Sequence, residues 1–165
     1  MNRDPNSINV EFSDTQSHLS ADHTALADLA RRVLRAEGIE RATISIALVD
    51  DATIREANRR HLDHDWPTDV ISFPLSEPGD PVLEGELILS AEMAATTARQ
   101  AGTDPRAELA LYLVHGLLHL CGYDDETVAE AAVMRRREAE LLAEAGLPNT
   151  FSMTGPADAG QGGAT

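Results

Sequence analysis

The order of the hydrophobic patterns predicts an α+β fold: a small sheet of about four strands covered by about five helices. Three observations predict it. Segments with strand-like alternation all lie before Ala91, two helical segments are set between them, and from Ala91 to Ala145 the apolar residues recur only at helical spacing. The order is strands first, helices last.

Ile8–Phe12 (INVEF) alternates apolar and polar residues like a short strand. Ser20 or Asp22 then offers an N-cap to an amphipathic helix ending near Gly38. Ala42–Val49 (ATISIALV) alternates again and is rich in β-branched residues, which suit a pleated, half-buried surface. In the DDATIREANRR that follows, Ile54 and Ala57 stand at helical spacing, so a helix is expected over Asp51–His61. The polar HLDHDWPTD contains Pro67 and is expected to be a loop, and Val70–Phe73 (VISF) reads as a buried strand. The turn-forming SEPGDP leads into another strand at Gly85–Ser90. Three helices complete the domain, Ala91–Ala101, Asp104–Cys121 and Glu126–Ala145, with Gly102 and Gly122 as stop signals. From Pro148 onward the chain carries Gly155, Gly160, Gly162 and Gly163 and few apolar residues. Burial there cannot offset the entropy of ordering, so the domain is expected to span residues 1–147 and residues 148–165 to be a disordered tail.

Composition narrows the function. A chain of 165 residues fits one domain with a sizeable core, and its single Cys121 excludes an internal disulfide framework. No apolar run approaches the roughly 20 residues that cross a bilayer, and MNRDPNSINV lacks the features of a signal peptide, so a cytoplasmic location and no membrane partner are expected. With 13 basic against 28 acidic residues the formal net charge is -15, which excludes a broad basic surface for non-specific nucleic-acid binding. Contact with RNA would have to use local clusters: Arg31/Arg32/Arg35, Arg55/Arg59/Arg60 or Arg135/Arg136/Arg137.

The segment richest in chemistry is ELALYLVHGLLHLCGYDDE, Glu108 to Glu126. His115 and His119 stand four apart on the expected helix, so their side chains emerge about 40° apart, one above the other, and both can reach one ion. Two histidines at this spacing also arise by chance. The rest of the helix is strongly apolar, however, and burying two imidazoles there is costly unless they find partners, which one metal ion would supply together. Neutral imidazole is a common zinc ligand, and the pair gives two of the three protein bonds of a catalytic site that leaves a position for water. A left-handed turn at Gly122 would fold the chain back and carry Asp124 or Asp125 toward the imidazoles as the third ligand. The residue after His115 is Gly116, so the pair lacks the glutamate of the metalloprotease HExxH motif, and a peptidase or amidase reading loses its general base.

HGLLHLCGYDD resembles the signature of the YbeY family, in which two helical histidines and a third after a Gly-Tyr-Asp turn bind one metal ion. PTDVISFP (Pro67–Pro74), GELILS (Gly85–Ser90), Met134 and Glu138 extend the resemblance over most of Val49 to Leu142. It implies a mixed sheet with a metal cleft at one end, one zinc ion per chain, and cleavage of single-stranded RNA in ribosomal RNA maturation and quality control, with the small ribosomal subunit as partner and no DNA. It also implies that Asp125, aligned with the family's third histidine, completes a metal site with His115 and His119. A carboxylate oxygen binds zinc at much the same distance but adds a charge, which would make bound water less acidic. Leu62 stands where the family usually carries an arginine thought to meet RNA phosphate. Arg59 or Arg60, one helical turn earlier, is the expected catalytic substitute, because a guanidinium can grip phosphate from a shifted anchor. A non-catalytic assembly factor, with the metal only locking the helix-to-turn corner, is the competing reading that the net charge and Leu62 favour.

Other residues carry plainer expectations. His61 and His64, with Asp63 and Asp65, form a solvated loop rather than a second metal site. Cys121 is a small hydrophobe turned away from the imidazole face, Asp69 either lines a cleft at the start of its strand or serves as a turn or capping residue, and Trp66 packs over the core or stacks on a base.

Overall fold

A computed structural model describes residues 7–64 and 68–151. In chain order the elements are β1 (Ile8–Asp14), α1 (His23–Ala36), β2 (Ala42–Val49), α2 (Asp51–Leu62), β3 (Val70–Pro74), β4 (Leu83–Ser90), α3 (Ala91–Ala101), α4 (Pro105–Leu120) and α5 (Val128–Glu144). The α+β fold, with four strands and five helices among the described residues, is as expected, with element ends moved by up to two residues.

The sheet order is β1-β2-β4-β3. β1 and β4 both run parallel to β2, whereas β3 runs antiparallel to β4, with Val70 opposite Leu89. The sheet is therefore mixed. Alternation divides its side chains between two faces. Ile44, Ile46, Leu48, Leu87, Leu89 and Val70 join the main core with α1, α4 and α5, while Val49, Ile71, Phe73 and Ile88 pack with Ile54 of α2 in a smaller cluster.

α4 is buried almost all round: 13 of its 16 residues are buried, so it is a core helix rather than an amphipathic one. Close approach to the sheet is made possible by Gly116, where an added Cβ would stand 3.0 Å from both Leu87 Cδ2 and Val70 Cγ2. Ser72 Oγ donates to the Gly116 carbonyl at 3.2 Å, tying β3 to the same turn of helix.

Packing continues past Pro148: Thr150 is fully buried, and the Phe151 ring packs against the main core and lies 4.1 Å from the Arg135 guanidinium. Residues 152–165, Asp65, Trp66 and Pro67 lie outside the described residues, and so do the expectations for Trp66 and for most of the tail.

Candidate metal centre

The site forms where α4 ends. Cys121 caps the helix, Gly122 adopts φ +103°, and the Gly122 and Tyr123 amides donate to the His119 and Leu118 carbonyls at 3.1 and 3.0 Å. This is a Schellman end, which glycine allows at no steric cost. It reverses the chain and brings Asp125 back to the histidines. Tyr123 anchors the reversal, its hydroxyl donating to Glu37, the residue that caps the end of α1, at 3.1 Å, and Arg137 of α5 donates to the same carboxylate at 2.7 Å.

His115, His119 and Asp125 each offer one donor atom, all within 4.8 Å of one another. His115 Nε2 and His119 Nε2 are 3.1 Å apart, and the Asp125 oxygens lie 3.6 Å from the first and 3.7 Å from the second. Tetrahedral bonds of about 2.0–2.2 Å set neighbouring donors roughly 3.3–3.6 Å apart, so the triangle has the size of one zinc-like ion. The donor chemistry fits as well: two nitrogens facing each other beside a carboxylate are what a cation between them would satisfy. The structure brings Asp125 into the triangle, while Asp124 lines the neighbouring cleft.

Burial decreases outward from His115 to Asp125 to His119, with side-chain exposures of 5%, 11% and 20%. Burial, and then the adjacent His115 imidazole, lower the pKa of His119 below the ordinary histidine value, which favours the neutral, metal-binding form. His115 Nδ1 lies 2.5 Å from Glu138 Oε2 on α5, and Glu138 Oε1 accepts from Arg135 Nη1 at 2.9 Å.

Beside the triangle opens a cleft of about 300 Å³, lined by His119 and Asp124 and, across from them, by Asn58, Leu62, His64, Thr68 and Ser72 among others. Arg59 and Arg60 are not among the described lining residues. Both reach back to Glu56, at 2.6 and 3.7 Å, on the exposed side of α2. Arg31, Arg135 and Arg137 likewise pair with carboxylates of their own helices. His61 meets Phe73 edge-on, whereas His64 lines the cleft; among the described residues the metal-competent group is that of His115, His119 and Asp125. Asp69 accepts from the Val70 amide at 2.8 Å, the expected capping role, and Cys121 packs against the main core. Sequence reasoning missed the bond from Glu138 to His115, because 23 residues and a chain reversal separate them, and it missed the placing of His64, which depends on how α2 ends.

Residues 10–146 match the family model described as Endoribonuclease YbeY. The chain belongs to that family. An Endoribonuclease YbeY of Rhodopirellula baltica is 44% identical over 127 residues, 75% of this chain and 64% of the relative, so the chain spans less than two thirds of that protein's length. One from Anaeromyxobacter sp. is 47% identical over 78% of this chain and 71% of the relative, and one from Carboxydothermus hydrogenoformans is 37% identical over 84% and 98%. A solution structure of a Thermotoga maritima protein superimposes with a TM-score of 0.56 at 25% identity, covering 84% of this chain and 91% of that one. The YbeY resemblance noted in the sequence therefore extends over nearly the whole described domain.

Proposed function

We propose that this chain is a single-zinc endoribonuclease that cleaves single-stranded RNA, matures ribosomal RNA in the cytoplasm together with the small ribosomal subunit, and contributes to ribosome quality control. The observation that carries the reading is the triangle of His115, His119 and Asp125, with spacings of 3.1, 3.6 and 3.7 Å, at the edge of an open cleft. Membership of the Endoribonuclease YbeY family supports the hydrolase and RNA parts of it. No helix among the described residues is long and apolar enough to cross a membrane.

In this reading His115, His119 and Asp125 hold the ion, which supplies Lewis acidity at a phosphoryl oxygen and makes a water easier to deprotonate. Thr68 and Ser72 stand on the cleft wall, and because their hydroxyls donate to Asp69 and to the Gly116 carbonyl, their oxygens are left to accept from donor groups of the RNA strand. Arg59 and Arg60, one turn before the cleft residue Leu62, would exchange Glu56 for phosphate at the rim. A peptidase is disfavoured because position 116 faces Leu87 and Val70 rather than the cleft, leaving no place there for a general base. The net charge of -15 and the apolar Leu62 in the cleft favour one second reading, a non-catalytic assembly factor that uses the same metal site.

Elemental analysis of purified protein, paired with cleavage of a labelled single-stranded RNA, tests the proposal. One zinc per chain and cleavage abolished by His115→Ala are expected. Metal-replete protein that binds ribosomal RNA without cutting it would transfer the case to the assembly factor.

A further inference from the structure

Glu138 lies on α5, is fully buried, and has both carboxylate oxygens engaged: Oε2 with His115 Nδ1 at 2.5 Å and Oε1 with Arg135 Nη1 at 2.9 Å. Arg135 in turn is stacked over the Phe151 ring. A carboxylate accepts hydrogen bonds only, so the atom facing Oε2 must be an N–H. With the proton on Nδ1, the other nitrogen of a neutral His115 carries a lone pair, and that nitrogen, Nε2, is the one that faces His119 and Asp125.

We propose that Glu138 is a positioning residue: it holds the His115 ring in the Nδ1–H tautomer, so that Nε2 offers its lone pair to the space shared with His119 and Asp125. Its use in metal binding rests on the metal-centre reading above; the tautomer does not. Arg135 completes the device from the other side by balancing the buried carboxylate and demanding an acceptor at Oε1. A partner that fixes ring orientation and tautomer from behind is a general need of metal-binding histidine.

The arrangement makes Glu138→Gln a sharp test, because glutamine has the same shape but only one acceptor oxygen. Arg135 claims that oxygen, which turns the amide NH2 toward His115 Nδ1. The ring proton then moves to Nε2, where it blocks the metal. Zinc-free protein labelled with 15N at histidine and held at pH 8 reports the tautomer directly through its ring nitrogen shifts, with His115 assigned by loss of its signals in His115→Gln. Wild type should show Nδ1–H and Glu138→Gln should show Nε2–H, with zinc affinity in a chelator competition lowered about 10–100-fold. Adding Arg135→Met to Glu138→Gln removes the claim on the amide oxygen while keeping an apolar chain against Phe151, and should restore the Nδ1–H tautomer and part of the zinc affinity. A merely structural ion pair predicts no such restoration, since the double variant lacks more of the pair than the single one.

Nδ1–H retained in Glu138→Gln, with zinc affinity within twofold of wild type and an unchanged amide spectrum elsewhere, would overturn the proposal. So would a tautomer switch that Arg135→Met fails to reverse. A wild type that takes no zinc but shows both the switch and its reversal would support the role of Glu138 and refute the metal centre instead.

Discussion

Replacing Gly116 by alanine sets two known quantities against each other at the centre of the site. In an open helix the change would stabilise the protein by about 1 kcal/mol, the difference in helix propensity. Here the new methyl stands 3.0 Å from Leu87 Cδ2, 3.0 Å from Val70 Cγ2 and 3.3 Å from Leu87 Cδ1. Leu87 is fully buried and Val70 nearly so, which leaves neither side chain solvent to swing into. Overpacking of this kind costs roughly 1–3 kcal/mol. The net expectation is a loss of about 1 kcal/mol, or a fall of about 2–4 °C in Tm for a domain of this size. Relief by lifting α4 from the sheet would strain the Ser72 bond to the Gly116 carbonyl and shift His115 and His119 relative to Asp125, so zinc affinity should fall as well. Thermal unfolding by circular dichroism, with and without zinc, measures both effects. A Tm that rises as propensity alone dictates would show that the helix is not pressed against the sheet and would refute the steric argument.

Three further outcomes are expected. Asp125→His should retain zinc and Asp125→Ala should lose it at least as severely as the ~10–100-fold cost of losing a supporting partner; tight binding by the alanine variant in a chelator titration would point to Asp124. Leu62→Arg places a guanidinium on the cleft wall and should steepen the dependence of log affinity for single-stranded RNA on log salt by about 0.7 for one added phosphate contact. If that slope stays fixed while Arg59→Ala or Arg60→Ala flattens it, the phosphate contact already belongs to α2. Burial, and then Glu37, push the Cys121 thiol up to about 12, so its reaction with a disulfide reagent at pH 8 should be on the order of a thousandfold slower than that of an exposed cysteine; a fast reaction would mean that the end of α4 opens.

The elements most legible in the sequence were those with a local cause. Ala42–Val49 and Ala91–Ala101 have the ends that alternation and the Gly102 stop signal predict, because each boundary is set by residues inside the segment. α4 was legible as a helix from its length and caps, and the left-handed Gly122 that ends it made a return of the chain toward the histidines foreseeable. What was not legible depends on long-range pairing. The strand order β1-β2-β4-β3, with β4 inserted between β2 and β3, leaves no local mark in the sequence. The contact between Glu138 and His115 requires α5 to fold back along α4, and although the family resemblance marked Glu138, nothing local in MRRREAELL says which residue it would meet. Past Pro148 the glycine-rich composition concealed Phe151, whose contact with Arg135 is tertiary.

The charge balance leads to one last expectation, about binding rather than cleavage. With a net charge of -15 the protein repels a polyanion at long range, and among the described lining residues of the cleft there is neither lysine nor arginine. Asp125 brings a carboxylate to the triangle and Asp124 another to the cleft wall, while the carboxylate of Glu138 is paired with Arg135. A divalent ion there would raise the local charge by two, which would make it the main positive charge available to the cleft. Zinc should therefore support RNA affinity as well as chemistry. Fluorescence anisotropy with a labelled single-stranded RNA, at low salt and with the cut step blocked by a non-cleavable backbone, measures this directly. Removing zinc with a chelator should weaken binding several-fold, and raising the salt should shrink the difference, because screening weakens charge attraction. Equal affinity with and without zinc would mean that RNA is held by contacts remote from the triangle, such as those of Arg59 and Arg60.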